Sequence, residues 1–184
     1  MKFCEDCGAP VQLTVPAGDH LPRYVCTACG HIHYRNPRLV VGCVPEYQRR
    51  ILLCRRAIEP RRGYWTVPAG FMENGETLQQ AAARESYEEA VAEVTIGSLL
   101  AIVHVLHAEQ VHVFFRAQLA AARYAAGPES LEVALVAQAD IPWADLAFRS
   151  TDFALRRYLE DQAAGSEPCH FHTIDQRPRS APAD

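Results

Sequence analysis

"GETLQQAAARESYEEA", Gly75 to Ala90, reads as a helix whose charges repel one another. Thr77 followed by Gln80 is a capping-box start, so the helix opens at Leu78. Leu78, Ala81, Ala82 and Ala83 are good helix formers. Glu76, Glu85, Glu88 and Glu89, with Glu73 just upstream, face one cation, Arg84. At about 100° per residue, Glu85, Glu88 and Glu89 fall within one arc of roughly 100°. Each like-charge pair at this spacing costs a helix about 0.2–0.5 kcal/mol. Arg84 offsets part of this through its i,i+4 partner Glu88. A hard divalent cation, Mg²⁺ or Mn²⁺, offsets far more, because carboxylate oxygens suit such ions. The alternative is a solvated acidic face.

Upstream, residues 1–36 form a separate module. Cys4-x2-Cys7, eighteen residues, then Cys26-x2-Cys29 is the spacing of a structural zinc ribbon. Gly8 and Gly30 follow the second cysteine of each pair, where a tight knuckle needs a permissive backbone. Four thiolates complete tetrahedral Zn²⁺, so His31 and His33 read as surface or packing residues.

Residues 37–164 form the main domain. Strands are expected at Arg38–Glu46 and Ile51–Arg55, turned by "QRR", with Cys43 and Cys54 as small core residues. "YWTVPAG" reads as a short strand ending at Pro68, and the acidic helix runs from Leu78 to Val91. A hairpin about "HAEQ", a strand "LEVALVA", a turn with a buried Trp143 and a helix from about Thr151 to Gln162 follow. Residues 165–184 read as a polar, Pro-rich tail, loosely ordered at its end.

The composition narrows the function. A chain of 184 residues, 49% hydrophobic, carries a real core. A formal charge of −4 argues against a nucleic-acid coat. Residues 1–30 hold only Lys2 and Arg23 as cations, so nucleic acid is not an expected partner of the ribbon. No apolar run approaches the roughly 20 residues of a membrane span. "MKFCEDCGAP" has no apolar signal segment, and two CxxC pairs suit a reducing cytoplasm.

Gly70, five residues, Glu76, seven residues, then Arg84-Glu85-x2-Glu88-Glu89 resembles the Nudix box, Gx5Ex7REUxEExGU, at every charged position. Ser86 stands at the first aliphatic position, Val91 at the family's glycine and Ala92 at the last aliphatic position. The order of ribbon, "NPRLVVGCV", "LLCRRA", "WTVPAGFMENGET", "GPESLEV" and "IPWADLAF" is similar to zinc-ribbon Nudix hydrolases related to plant FAD and ADP-ribose pyrophosphatases, over about residues 1–172. The resemblance implies an α/β/α sandwich around a mixed sheet. It also implies a homodimer and divalent-metal-dependent cleavage of a nucleoside diphosphate linked to another group. Carried over, Glu85, Glu88 and Glu89 hold the metal with the Ala69 carbonyl, and Arg84 locks Glu76 onto the helix.

Glu85 is one candidate base, and a later glutamate is the other, Glu132 ahead of Glu129. Arg55, Arg56, Arg61 and Arg62 crowd the approach to the box, and guanidinium groups suit phosphate. Arg55, Arg62 and Trp65 are the candidate substrate contacts, with a solvated loop and core packing as the alternatives. His104, His107 and His112 default to packing, as do Cys169, His170 and His172. The proline that ADP-ribose enzymes carry past the box is missing from "VLHAEQ". The "SQPWPFPxS" motif of NADH pyrophosphatases is missing too. FAD and ADP-ribose therefore stand level as expected substrates, with NADH or an NAD cap next. A non-catalytic nucleotide sensor is the remaining alternative.

Overall fold

The computed structural model describes residues 1–175, and the chain falls into two units, Met1–Pro37 and Arg38 onward. In the first unit, β1 (Val11–Thr14), β2 (Arg23–Cys26) and β3 (Ile32–His33) form an antiparallel sheet in that order. Its knuckles are matched turns. Gly8 N–H donates to the Cys4 carbonyl at 3.0 Å and Gly30 N–H to the Cys26 carbonyl at 3.2 Å. Both glycines have φ of 73°, a left-handed conformation that a side chain disfavours.

The second unit runs β4 (Arg38–Tyr47), β5 (Arg50–Arg56), β6 (Trp65–Thr66), β7 (Ala69–Phe71), α1 (Leu78–Ala90), β8 (Val94–Val105), β9 (Gln110–Leu119), β10 (Ser130–Ala137), α2 (Arg149–Ala164) and β11 (His170–Ile174). Six strands lie in the order β10-β5-β4-β9-β8-β11, with β6 on β5 and β7 on β4. The β4–β9 and β8–β11 pairs are parallel and the others antiparallel, so the sheet is mixed.

Side-chain alternation along the strands splits the core into two layers. Val113 and Phe115 of β9 meet Ala81 and Ala82 of α1, with Val41 and Cys43. Phe114, between them in sequence, meets Ala154, Leu155 and Tyr158 of α2, with Leu53, Leu100 and Val103. Burying side chains such as Phe114 and Leu155 stabilises the fold by about 1.5–3 kcal/mol each. Two helices on opposite faces of one mixed sheet make the expected α/β/α sandwich.

Three details differ from expectation. The "YWTVPAG" segment makes two short strands, β6 and β7, broken at Val67-Pro68, because proline has no N–H to donate. Trp143 is only half-buried, under the Arg156 guanidinium at 4.3 Å. Residues 170–174, read as tail, add the parallel edge strand β11 to β8. Polar anchors replace an apolar run there. The His170 imidazole lies 3.0 Å from Asp161, and Arg116 donates to the Pro168 carbonyl at 3.0 Å. The expected loose end falls on residues 176–184, outside the described residues. Among the described residues no helix is long and apolar enough to cross a membrane.

Candidate active site

The acidic helix starts as its sequence requires. Thr77 Oγ1 accepts the Gln80 N–H at 3.2 Å, and the Gln80 side chain accepts the Thr77 N–H at 2.8 Å. Arg84 then ties the preceding loop down. It donates to both Glu76 oxygens, at 3.0 and 2.8 Å, and to the Phe71 carbonyl at 3.0 Å. The guanidinium holds the Glu76 carboxyl well down, to about 2. Arg84 Nη1 also donates to Glu85 and Glu88, each at 2.8 Å.

Glu85 and Glu89 are buried while Glu88 is exposed. Burial raises the Glu85 carboxyl above its usual range, against the pull of Arg84. Burial, and then the charge of Glu85, pushes Glu89 up to about 8. β7 covers this pair. The Ala69 N–H donates to Glu89 at 3.3 Å, and a Cβ on Gly70 would overlap the Glu85 carboxyl. The glycine at the start of the box is therefore needed for close approach rather than for a special φ. Two buried carboxylates beside an exposed third offer the oxygen chemistry that suits a hard divalent cation, with Arg84 bonded to Glu85 and Glu88 in the place a cation would compete for.

The departures from the box have local solutions. Ser86 is fully buried, donates to the Ala82 carbonyl at 2.9 Å and touches Cys43 Sγ at 3.1 Å. Ala92 is buried against Leu52, Cys54 and Leu119. Val91 caps the helix in the left-handed region, at φ 47° and ψ 36°, the conformation in which the family's glycine is at ease.

Beyond the helix, the loop before β10 docks on the last turn of α1. Ala125 N–H donates to the Ala90 carbonyl at 2.8 Å and Gly127 N–H to the Glu89 carbonyl at 3.0 Å. A Cβ on Gly127 would collide with the Glu88 carbonyl. This docking carries Glu129 to where its charge acts on both Glu85 and Glu89. Glu132 is exposed on β10, 3.6 Å from Arg55.

The arginines sort themselves by strand parity. Arg55 is exposed and donates to the Gly63 carbonyl at 2.9 Å, and Arg62 is exposed. Arg56, named among the crowding arginines but not chosen as a substrate contact, is buried. Its Nε donates to the Pro60 carbonyl at 2.9 Å, its guanidinium lies 5.0 Å from the Phe148 ring, and its charge reaches Glu89. Trp65 is half-buried and packs on the core beneath α2. Of the other histidines expected to pack, His104 and His107 are exposed. His112 is buried between Ser150 and Gln110, at 2.9 and 2.8 Å, and His172 stacks on Phe153 at 4.5 Å.

In the first unit, Cys4, Cys7, Cys26 and Cys29 converge on one point. Three of their Sγ–Sγ distances are 3.4, 3.6 and 3.8 Å. A tetrahedron with Zn–S of 2.3 Å has edges of about 3.8 Å, so this donor set fits Zn²⁺. Backbone N–H groups of Cys29 and Ala28 pull the Cys26 thiol down to about 6, toward the thiolate a metal needs. His33 takes the packing alternative. It is buried, with Nε2 3.3 Å from Cys4 Sγ.

A family model described as Nudix N-terminal matches residues 2–35, and one described as the NUDIX domain matches residues 36–156. Over 96 residues, half of this chain, the protein is 40% identical to a NAD-capped RNA hydrolase NudC of Edwardsiella ictaluri, covering 34% of that relative. Over 69 residues, 38% of this chain, it is 36% identical to an ADP-ribose pyrophosphatase of Methanocaldococcus jannaschii, covering 41% of it. The chain thus spans well under half the length of these relatives. A NUDIX hydrolase structure from Nitrosomonas europaea matches with a TM-score of 0.92 and 50% identity, over 96% of this chain and 100% of that one. The carboxylate helix, the ribbon cysteines and both family models agree, and the chain belongs to the Nudix family.

Proposed function

We propose that the protein hydrolyses the pyrophosphate bond of a nucleoside diphosphate linked to a second group, releasing AMP, with Mg²⁺ or Mn²⁺ as cofactor. The observation that carries this reading is the buried Glu85–Glu89 pair, with Glu88 and Glu129 beside it. Buried like charges of this kind are costly to a structural helix and useful to one that holds a cation.

Glu85, Glu88 and Glu89 are the metal ligands in this reading, with the Ala69 carbonyl as a further oxygen. Glu76 and Arg84 keep the loop seated on the helix. A bound divalent ion would neutralise phosphate oxygens and make an attacking water more acidic. Glu129 is the base that takes the water proton, in preference to Glu132, which pairs with Arg55. Arg56, in preference to Arg55 or Arg62, receives phosphate charge from its buried position. Trp65 is left to packing.

Water attacks one phosphorus and the other phosphate leaves. FAD then gives AMP and FMN, ADP-ribose gives AMP and ribose 5-phosphate, and NADH gives AMP and the reduced nicotinamide mononucleotide. Identity to NAD-capped RNA hydrolases raises the NAD-type substrates to the same rank as ADP-ribose and FAD. The few cations of the ribbon favour a free dinucleotide over capped RNA. A panel of FAD, ADP-ribose, NADH and NAD-capped RNA, run with Mg²⁺ or Mn²⁺ in ¹⁸O-water, tests this. Label in a phosphate product is expected. Free adenine or nicotinamide, or no turnover of any of the four, would promote the sensor alternative. A homodimer remains part of this proposal, for sedimentation to test.

A further inference from the structure

We infer that His33 is a positioning residue of the ribbon zinc, donating its Nε2–H to the Cys4 thiolate and so fixing the strength of that ligand. Four thiolates more than cancel the charge of one Zn²⁺. The surplus negative charge rests on sulfur, and N–H donors around the site relieve it. Three of the four sulfurs find such donors in the backbone. Cys26 Sγ accepts from the Ala28 and Cys29 N–H groups, both at 3.4 Å. The backbone at Ala9 acts in the same sense on Cys7, and the backbone at His31 on Cys29.

At Cys4 the donor is a side chain. His33 Nε2 lies 3.3 Å from Cys4 Sγ, and both residues are buried. Cys4 is the counterpart of Cys26 in the matched knuckle, so the two buried sulfurs are relieved by different means, one by main chain and one by imidazole. A thiolate has no hydrogen to give, so the contact fixes the tautomer with hydrogen on Nε2. A second imidazole lies beside the ring. His31 lies 4.5 Å from it, centroid to centroid, and His31 Nδ1 is 2.7 Å from Asp6 Oδ2.

The donor matters for metal retention. Cys7 and Cys29 are exposed, whereas Cys4 and Cys26 are buried. The buried pair is the anchor that keeps the ion when an outer thiolate is attacked, and His33 serves half of that anchor.

The test uses the full chain, loaded with zinc and separately with cobalt(II). His33→Phe keeps a ring and removes the donor, and His33→Gln keeps a donor in a different shape. Competition with a chromophoric chelator is expected to show a loss of roughly 10- to 100-fold in zinc affinity for His33→Phe, with part of it recovered in His33→Gln. The sulfur-to-cobalt charge-transfer band should move to longer wavelength in His33→Phe, since an unrelieved thiolate gives up an electron more easily. Unchanged affinity, or a fall in affinity with an unmoved band, overturns the inference and leaves His33 as packing. Should His33→Phe fail to fold, His33→Leu, which also removes the donor, decides by the same band, and an unmoved band there overturns the inference too.

Discussion

Glu89 is the side chain at which charge and burial conflict most. It sits 5% exposed beside Glu85, with a carboxyl pushed up to about 8. Glu89→Gln removes the conflict and, under the proposed function, a metal ligand with it, so the fold should be kept or slightly strengthened. The rate of pyrophosphate cleavage should fall by about 10²-fold or more, the scale of losing one preorganised charge-stabilising group. Glu88→Gln should show the same fall in rate without the gain in stability, because Glu88 is exposed. Turnover at limiting Mg²⁺, set beside urea unfolding, checks both, and wild-type rates in both variants would remove these residues from the site. The charged positions of the box were legible because they form a one-dimensional pattern. Two other side chains were named in the sequence but not singled out. Arg56 lies on a strand whose run from Ile51 to Cys54 is buried on both faces, so no alternation told Arg55 from Arg56. Glu129 reaches the carboxylates only because Gly127 docks on the Glu89 carbonyl, a long-range contact that local sequence does not encode.

Among the elements, α1 was read almost to the residue, since Thr77 and Gln80 announce its start. Its end was harder. Val91 holds a left-handed conformation that costs an L-residue about 1–2 kcal/mol, and its side chain is 41% exposed, so little packing repays it. Val91→Gly should therefore stabilise the protein by about 0.5–1 kcal/mol, after glycine's extra chain entropy is subtracted. A higher urea midpoint at unchanged m-value checks this, and a lower midpoint would show that the Val91 side chain carries packing. The turn between β4 and β5 has the same character. Gln48 and Arg49 both have positive φ, in a two-residue turn that usually selects Asn-Gly. The strand pairing on either side imposes the conformation, so neither residue type signalled it. β11 escaped notice for a related reason: its histidine side chains are held by Asp161 and Phe153, and the chain entering it by Arg116 at the Pro168 carbonyl, rather than by an apolar pattern.

For the molecule as a whole, acid and metal act on different units. His112 joins β9 to the start of α2, and burial lowers its imidazole from 6.5 to about 4. The unfolded chain binds the extra proton between these values, so stability is full above about pH 6.5 and is lost as pH falls. Between pH 7 and pH 5 this one group should cost about 2 kcal/mol. His112→Gln should flatten that slope, as urea unfolding at the two pH values would show. An equal slope in both proteins would assign the acid sensitivity elsewhere. In the ribbon, metal analysis of protein purified without added zinc should find about one zinc per chain, since structural zinc contributes on the order of 10–16 kcal/mol in small peptides. Chelation should unfold residues 1–37, and a zinc-free ribbon that keeps its amide protection would refute a structural metal. Strand β11 has a practical consequence for anyone shortening this protein. A cut after residue 164, where the sequence suggests the domain is finished, strips the border from β8 along Ala101–Val105 and takes the Pro168 and His170 partners from Arg116 and Asp161. The bared seam is a template for another chain. Light scattering should find the trimmed protein clumping at concentrations where the longer one stays dispersed.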